Sequence, residues 1–201
     1  GEGGIWHKYN WEEYAFQKAF DVEPDKVIEF HNVRRKAVFR CKPHQGHFFI
    51  SELQESDINI SIITQNIDGM HQRAGSDDVV ELHGSLWSLR CEDCNKFIDD
   101  YNETYKTTKC NCGKTLRPNI VWFGDVLNMD IINQASSLIE KCNLFISIGT
   151  SGVVWPAAGF PDLAKNSGAY CIEINTERTE LSSIFNEVIN CKASEISQYL
   201  M

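Results

Sequence analysis

No stretch of this 201-residue sequence reaches eighteen consecutive apolar residues, so no helix is expected to cross a membrane. Its first residues, Gly1-Glu-Gly-Gly-Ile-Trp6, do not pass from basic to apolar, so no secretory signal is read there, and the absence of an initiator Met fits a processed or trimmed chain. Positive charge is scarce too. Nineteen Lys and Arg face 28 Asp and Glu, a net charge of −9, with a sequence pI near 5.1. A basic face for nucleic acid is therefore not expected. No internal repeat or low-complexity linker is visible. What remains has the size and apolar content of one ordinary soluble domain, with or without a small insertion.

Cysteine, by contrast, is plentiful: Cys41, Cys91, Cys94, Cys110, Cys112, Cys142, Cys171 and Cys191. Four crowd into one short segment and four are scattered, mostly among apolar residues. That distribution predicts a metal site plus reduced thiols in an intracellular, cytoplasmic protein rather than a disulfide framework.

Residues 1–50 read as helical, with Pro24 in a first turn and Val27, Phe30, His31, Arg34 and Val38 at helical spacing. His31 and Arg34, three apart, share a face. Ile58–Thr64 reads as a strand running into Gln65-Asn-Ile-Asp-Gly69. Leu144–Ile148 reads as a strand covered on both faces and ends in Gly149-Thr-Ser-Gly152. Ala169–Ile174 is a third, ending in Asn175-Thr-Glu177. A helix with Asp130 as N-cap, and Ile131, Ala135, Leu138 and Cys142 as its buried stripe, lies before the second strand. Another covers Ala157–Lys165. Strands alternating with helices predict an open parallel α/β sheet. Such sheets bind ligands at the carboxyl ends of their strands, and all three strands here end in small or polar residues suited to ribose and phosphate.

Cys91-Glu-Asp-Cys94 is followed, after fifteen residues, by Cys110-Asn-Cys112. Two close thiolate pairs across a polar loop suit a tetrahedral zinc ion. Four thiolates leave no open coordination position, so the zinc is expected to be structural. The loop contributes little core of its own, so the metal would hold it together.

Thr64-Gln-Asn-Ile-Asp-Gly-Met-His-Gln-Arg-Ala-Gly75, Glu81-Leu-His-Gly-Ser85 and Leu116-Arg-Pro-Asn-Ile-Val-Trp-Phe-Gly124 bracket the cysteine segment. Gly149-Thr-Ser-Gly-Val-Val-Trp-Pro-Ala-Ala158 comes later. In this order, and over essentially the whole chain, they resemble sirtuins, NAD-dependent protein-lysine deacylases. The resemblance implies a Rossmann-like parallel sheet (residues 56–85 and 119–201) with an inserted zinc ribbon (86–118), and a helical segment with a cofactor-loop remnant (1–55). It implies that the amide oxygen of an acylated lysine attacks the ribose of NAD, nicotinamide leaves, and the acyl group passes to ADP-ribose. His83 would be the general base, acting through the ribose hydroxyls on the alkylimidate intermediate; read alone, a single His after a strand is more often structural. Asn66 and Asp68 match residues at the nicotinamide and ribose, with Gln65 and Ile67 on the same wall. Read alone, Asn-x-Asp-Gly is ordinary turn chemistry. Gly149, Thr150 and Ser151 match a ribose-phosphate loop, Asn175, Thr176 and Glu177 an adenosine-ribose loop, and Ala193 the adenine end. Val121, Phe123 and Gly124, with Val153 and Val154, match two edges that hold the peptide as an added strand.

Gly4-Ile-Trp-His-Lys-Tyr9 resembles the end of the family's cofactor loop. The residues after Tyr9 resemble the branch called class III, whose members often remove succinyl or malonyl groups. Ala15 matches a small residue that widens the acyl pocket, and Arg34 an Arg that binds the acyl carboxylate. The companion Tyr is replaced by His31, which offers one hydrogen bond and, if protonated, a charge. A solvated helix face is the plainer reading of Arg34, and Arg35 beside it favours that. Sirtuins also begin with a strand, a Gly-Ala-Gly loop at a helix N-terminus and a Phe-Arg that precede the matching segment. This sequence holds none of them, and no other glycine-rich phosphate loop stands in. The expectation is an exposed sheet edge, and a chain that by itself is not a stable, competent enzyme. The same fold also admits an NAD glycohydrolase or ADP-ribosyltransferase, which would not need the peptide edges. A zinc-bearing interaction module without activity is the third reading.

Overall fold

Pro24 fixes φ where a first-turn N–H needs no partner, and the chain behind it runs as the longest helix, α3 (Pro24–Arg40). In this computed structural model residues 9–56 and 58–200 are described; the cofactor-loop segment from Gly4 to Lys8 lies outside them. Two short helices precede α3. The first, α1 (Trp11–Tyr14), is capped by Asn10, whose side chain accepts from Glu12 N; the second is α2 (Gln17–Val22). No helix among the described residues is long and apolar enough to cross a membrane.

The chain forms two compact units. Unit 1 takes the residues up to Lys42, Asn66–Gly69 and His83–Leu127. The helices α1–α3 therefore group with the cysteine segment, which cuts across the segment boundaries expected from sequence. The sheet of this unit has β3 (Gly84–Arg90) at its centre. Antiparallel partners flank it, β4 (Phe97–Asp99) and β5 (Arg117–Ile120). Leu86, Leu89, Leu116, Ile120 and Trp122 pack there with Phe20, Val27 and Ile28. Gly84 is required where it stands: φ is +72°, and a Cβ would lie 2.1 Å from the Asn119 carbonyl oxygen. The Gly of Leu-His-Gly thus lets β5 approach directly beside His83.

Unit 2 takes Pro43–Gln65, Met70–Leu82 and the chain from Asn128. It contains α4 (Gln45–Gln54), β1 (Ile62–Thr64), α5 (Met70–Arg73) and β2 (Val79–Glu81). After them come α6 (Met129–Lys141), β6 (Leu144–Ile148), α7 (Phe160–Asn166), β7 (Tyr170–Asn175) and β8 (Glu187–Asn190). All pairings here are parallel: β1 with β2, and β7 between β6 and β8. The apolar run of β7 is explained by cores on both faces. Cys171 lies with Val80, Ala135, Ile139, Phe160 and Ala164, while Ile172 and Ile174 lie with Cys191, Ile196 and Phe49. Among the described residues no pairing joins β1 to β6, and Leu144 on β6 is 49% exposed.

Several boundaries differ from the sequence reading. The first strand starts at Ile62, not Ile58. The N-cap of α6 is Asn128, whose side chain accepts from Asp130 N, so Asp130 sits inside the first turn. The helix expected at 157–165 begins as a 3-10 turn and becomes α-helical at Phe160, with Pro161 in its first turn.

Gly46 in α4 faces the segment that follows β8, and a Cβ there would come within 2.0 Å of the Ala193 carbonyl oxygen. In a helix with free space, Gly→Ala stabilises by about 1 kcal/mol. Here the sign is expected to reverse: Gly46→Ala should destabilise by about 1–3 kcal/mol through overpacking, read from thermal or denaturant unfolding. A stabilised variant would show that α4 and Ala193 do not meet.

Candidate functional site

In unit 1 the loop Asn66–Gly69 is pinned to β3 at two points. Leu86 N donates to the Ile67 carbonyl at 2.9 Å, and Trp87 Nε1 donates to the Asp68 carbonyl at 2.7 Å. His83 precedes β3 directly, and its own carbonyl accepts from Val121 N at 2.9 Å. Asn66 is exposed; Asp68 and His83 are half-buried. The structure thus sets the Asn66–Asp68 loop, His83 and Val121 along one strand. Val121–Gly124 continues past β5 as irregular chain, with Trp122 buried and Phe123 exposed. Phe123 N donates to the Ala15 carbonyl at 3.1 Å.

Ala15 and His31 are both buried. The His31 ring stacks on Trp122, centroids 5.8 Å apart. Neither ring nitrogen completes a hydrogen bond, although the nearby Tyr14 carbonyl opposes the shift in its pKa. Burial first, then the Arg34 and Arg117 guanidinium groups, push that pKa down to about 3. Burial and the two guanidinium groups thus favour the neutral form of His31 over the charged one considered from sequence. Arg34 is half-buried, its guanidinium 5.9 Å from the Phe30 ring centre. Arg35 is not on a solvated face: it is fully buried, between the rings of Trp87 and Tyr105. It donates to the carbonyls of Leu86, Asp100 and Asn102 and to the Asp100 carboxylate.

The four cysteines of unit 1 converge, with all four Sγ atoms within 4.8 Å of one another. Sγ separations are 3.5 Å for Cys91–Cys112 and for Cys94–Cys110. A tetrahedral zinc with Zn–S near 2.3 Å needs Sγ atoms about 3.8 Å apart, so the donor set fits. Each pair closes on a tight turn. Cys91 N donates to Lys96 O across left-handed Asn95, and Cys110 N donates to Lys114 O across left-handed Gly113. The backbone N–H of Cys94 helps draw the Cys91 thiol down to about 7. Cys94, sharing hydrogen bonds with Cys91 and Cys110, is pushed up to about 12. Thiolates so close oppose one another's ionisation, and a central cation removes that opposition.

In unit 2 the ends of three strands are tied together through Thr150. Its Oγ1 accepts from Gln65 Nε2 at 3.3 Å, after β1. Its carbonyl accepts from Asn175 Nδ2 at 2.8 Å, at the end of β7. Ser151, Thr176 and Glu177 are exposed beside this web, as is Gly149; Ala193 is half-buried at the start of the last 3-10 turn. Val153 and Val154 are 61% and 47% exposed.

Sequence reasoning missed three supporting side chains. Glu173 is buried within β7 and accepts from the hydroxyls of Thr179 and Ser182, folding the 176–182 turn back on the strand. A carboxylate inside the apolar run Cys171-Ile-Glu-Ile174 was the available signal. Arg117, buried on β5, links Gln17, Glu92 and Asp125 and lies 3.8 Å from the Trp122 ring centre. Trp87 carried no sequence signal.

The sequence profile of the Sir2 family matches residues 1–156. The NAD-dependent protein deacylase of Aquifex aeolicus (strain VF5) is 41% identical over 203 aligned positions, covering 96% of this chain and 82% of that protein. A crystal structure of a Sir2 homologue in complex with NAD matches with a TM-score of 0.88 and 38% identity, over 96% of this chain and 77% of that one. A Sir2 enzyme bound to a propionylated peptide matches with a TM-score of 0.81 and 31% identity, over 92% and 81%.

Proposed function

Because the chain belongs to the Sir2 family, we propose that it is an NAD-dependent protein-lysine deacylase with a structural zinc. The observation that carries this beyond kinship is the web around Thr150, which ties together the polar residues that follow β1, β6 and β7, the carboxyl ends at which parallel sheets take a nucleotide. NAD supplies the ribose carbon that accepts the acyl oxygen as nicotinamide leaves. In unit 2, Gly149, Thr150 and Ser151 hold phosphate and ribose, Asn175, Thr176 and Glu177 the adenosine ribose, and Ala193 borders the adenine. Gln65 acts here through Thr150.

In unit 1, the Asp68 carboxylate accepts from the carboxamide NH₂ of nicotinamide, and the Asn66 amide holds a ribose hydroxyl or a water, with Ile67 on the same wall. His83 takes a proton from the ribose hydroxyls as the general base. Val121, Phe123 and Gly124, and separately Val153 and Val154, are exposed or half-buried residues at the two edges that would take an extended peptide. Those edges favour a deacylase over an NAD glycohydrolase. The zinc on Cys91, Cys94, Cys110 and Cys112 holds its segment and takes no part in the reaction.

The acyl group extends to acids such as succinyl and malonyl, with Ala15 leaving width, His31 a neutral hydrogen-bonding partner and Arg34 the receptor of the carboxylate. The Arg34 and Arg117 guanidinium groups, which add to burial in disfavouring a charge on His31, support this, as does the buried Trp122 Nε1, which lacks a hydrogen-bond partner. The test is turnover of acetyl- and succinyl-lysine peptides with NAD. Arg34→Ala is expected to lower kcat/KM for the succinyl peptide about 10- to 100-fold, the loss of one charge-assisted contact, and to leave the acetyl peptide nearly unchanged. A strong acetyl preference that Arg34→Ala does not alter would remove the acidic-acyl reading and leave the deacylase reading in place.

A further inference from the structure

The β3 strand does more than carry the sheet of unit 1. Three consecutive features of it fix parts that the proposed reaction must keep in register. At its head, His83 O is held by Val121 N. Two residues into it, Leu86 N holds the Ile67 carbonyl. Next, the Trp87 indole N–H holds the Asp68 carbonyl at 2.7 Å, across 19 positions of sequence. The first two are backbone bonds that any sequence could make. The third depends on one side chain, and tryptophan is donor-only at that atom.

Trp87 is itself held on several sides. Its backbone carbonyl accepts from Asp100 N at 2.7 Å. The Arg35 guanidinium lies 4.8 Å from its ring centre, and the Phe39 ring packs near it at 6.5 Å. Arg35 also grips Asp100 and Asn102, so the ring is fixed by groups that are themselves tied down. An indole so placed has little freedom to follow the Asp68 loop, and the loop must follow the indole.

We propose that Trp87 is a positioning residue: its indole N–H fixes the Asp68 backbone and so aims the Asp68 carboxylate at the carboxamide of nicotinamide. This rests on the deacylase reading. It assigns Trp87 no contact with substrate, and it predicts a selective fault when the N–H is lost. Nicotinamide should bind less well and leave more readily, while recognition of the acyl peptide is unaffected.

The test is Trp87→Phe, which keeps an aromatic ring against Arg35 and removes the donor. Nicotinamide inhibition and the KM for NAD are measured beside the KM for an acetyl-lysine peptide. The expected result is a rise of about 3- to 10-fold in the nicotinamide concentration for half-inhibition, the value of one buried hydrogen bond, with the peptide KM unchanged. Equal weakening of nicotinamide and peptide in Trp87→Phe, or no change in either, overturns the inference. If Trp87→Phe does not fold, the Trp87 indole N–H of the unaltered protein decides: it should be protected from solvent exchange, and more so with nicotinamide and ADP-ribose bound. Rapid exchange, or protection that the ligands do not change, overturns it too. A parent protein that releases no nicotinamide with acyl-lysine would instead count against the deacylase reading.

Discussion

Replacing His83 with Ala should lower acyl-lysine turnover about 100- to 10,000-fold, the usual worth of a general base. The fold should survive, because the backbone carbonyl of residue 83 accepts from Val121 N whatever side chain is present. The tight approach next to it belongs to Gly84. Unfolding temperature and zinc content of His83→Ala should therefore match the parent while NAD-dependent release of free lysine falls. Turnover within tenfold of the parent would transfer the base role elsewhere. Loss of activity together with loss of the fold would make His83 structural, as a lone His after a strand so often is.

Zinc removal should have the second large effect. The cysteine segment contains the short strand β4 and the irregular stretch before β5; Arg35 ties it at Asp100 and Asn102, and the metal would hold the turns that carry the thiols. Cys94 and Cys112 are exposed, and apolar cover comes mainly from Leu116, Tyr105 and the buried Cys91 and Cys110. Structural zinc sites contribute apparent binding energies of about 10–16 kcal/mol, and that binding energy is folding energy for the segment. The protein should contain one zinc per chain. Strong chelation, or Cys94→Ala with Cys112→Ala, should abolish cooperative unfolding of unit 1 and turnover with it. Because four thiolates leave no open position, replacing zinc by cadmium should restore both fold and activity. A metal-free protein that melts and turns over like the loaded one would refute the zinc assignment. Activity that depends on which metal is bound would make the site catalytic.

Much of this was legible in sequence, for identifiable reasons. Close Cys pairs leave few geometries, and the four Sγ atoms do converge. The nearly all-apolar Leu144–Ile148 and the Pro in the first turn of α3 are strong local signals, and both elements formed where expected. The polar ends of the strands could be read as a ligand wall, and the web at Thr150 joins residues from three of them. What sequence hid is set by tertiary contact. Arg35 looked like a solvent charge because helical spacing says nothing of a partner 65 residues away, yet Asp100 and two aromatic rings bury it. His31 looked like a titratable ligand for an acid, and packing against Trp122 with two guanidinium groups near favours its neutral form. Asn128 outcompeted Asp130 as a cap because its side chain reaches Asp130 N, a choice of two residues that spacing cannot resolve.

The most direct test of the deacylase assignment is nicotinamide release from NAD, measured with and without an acyl-lysine peptide. The account predicts release only when both are present, with one nicotinamide formed for each lysine freed and the acyl group recovered on ADP-ribose. Release at the same rate without acyl-lysine, or lysine freed without NAD, would contradict it.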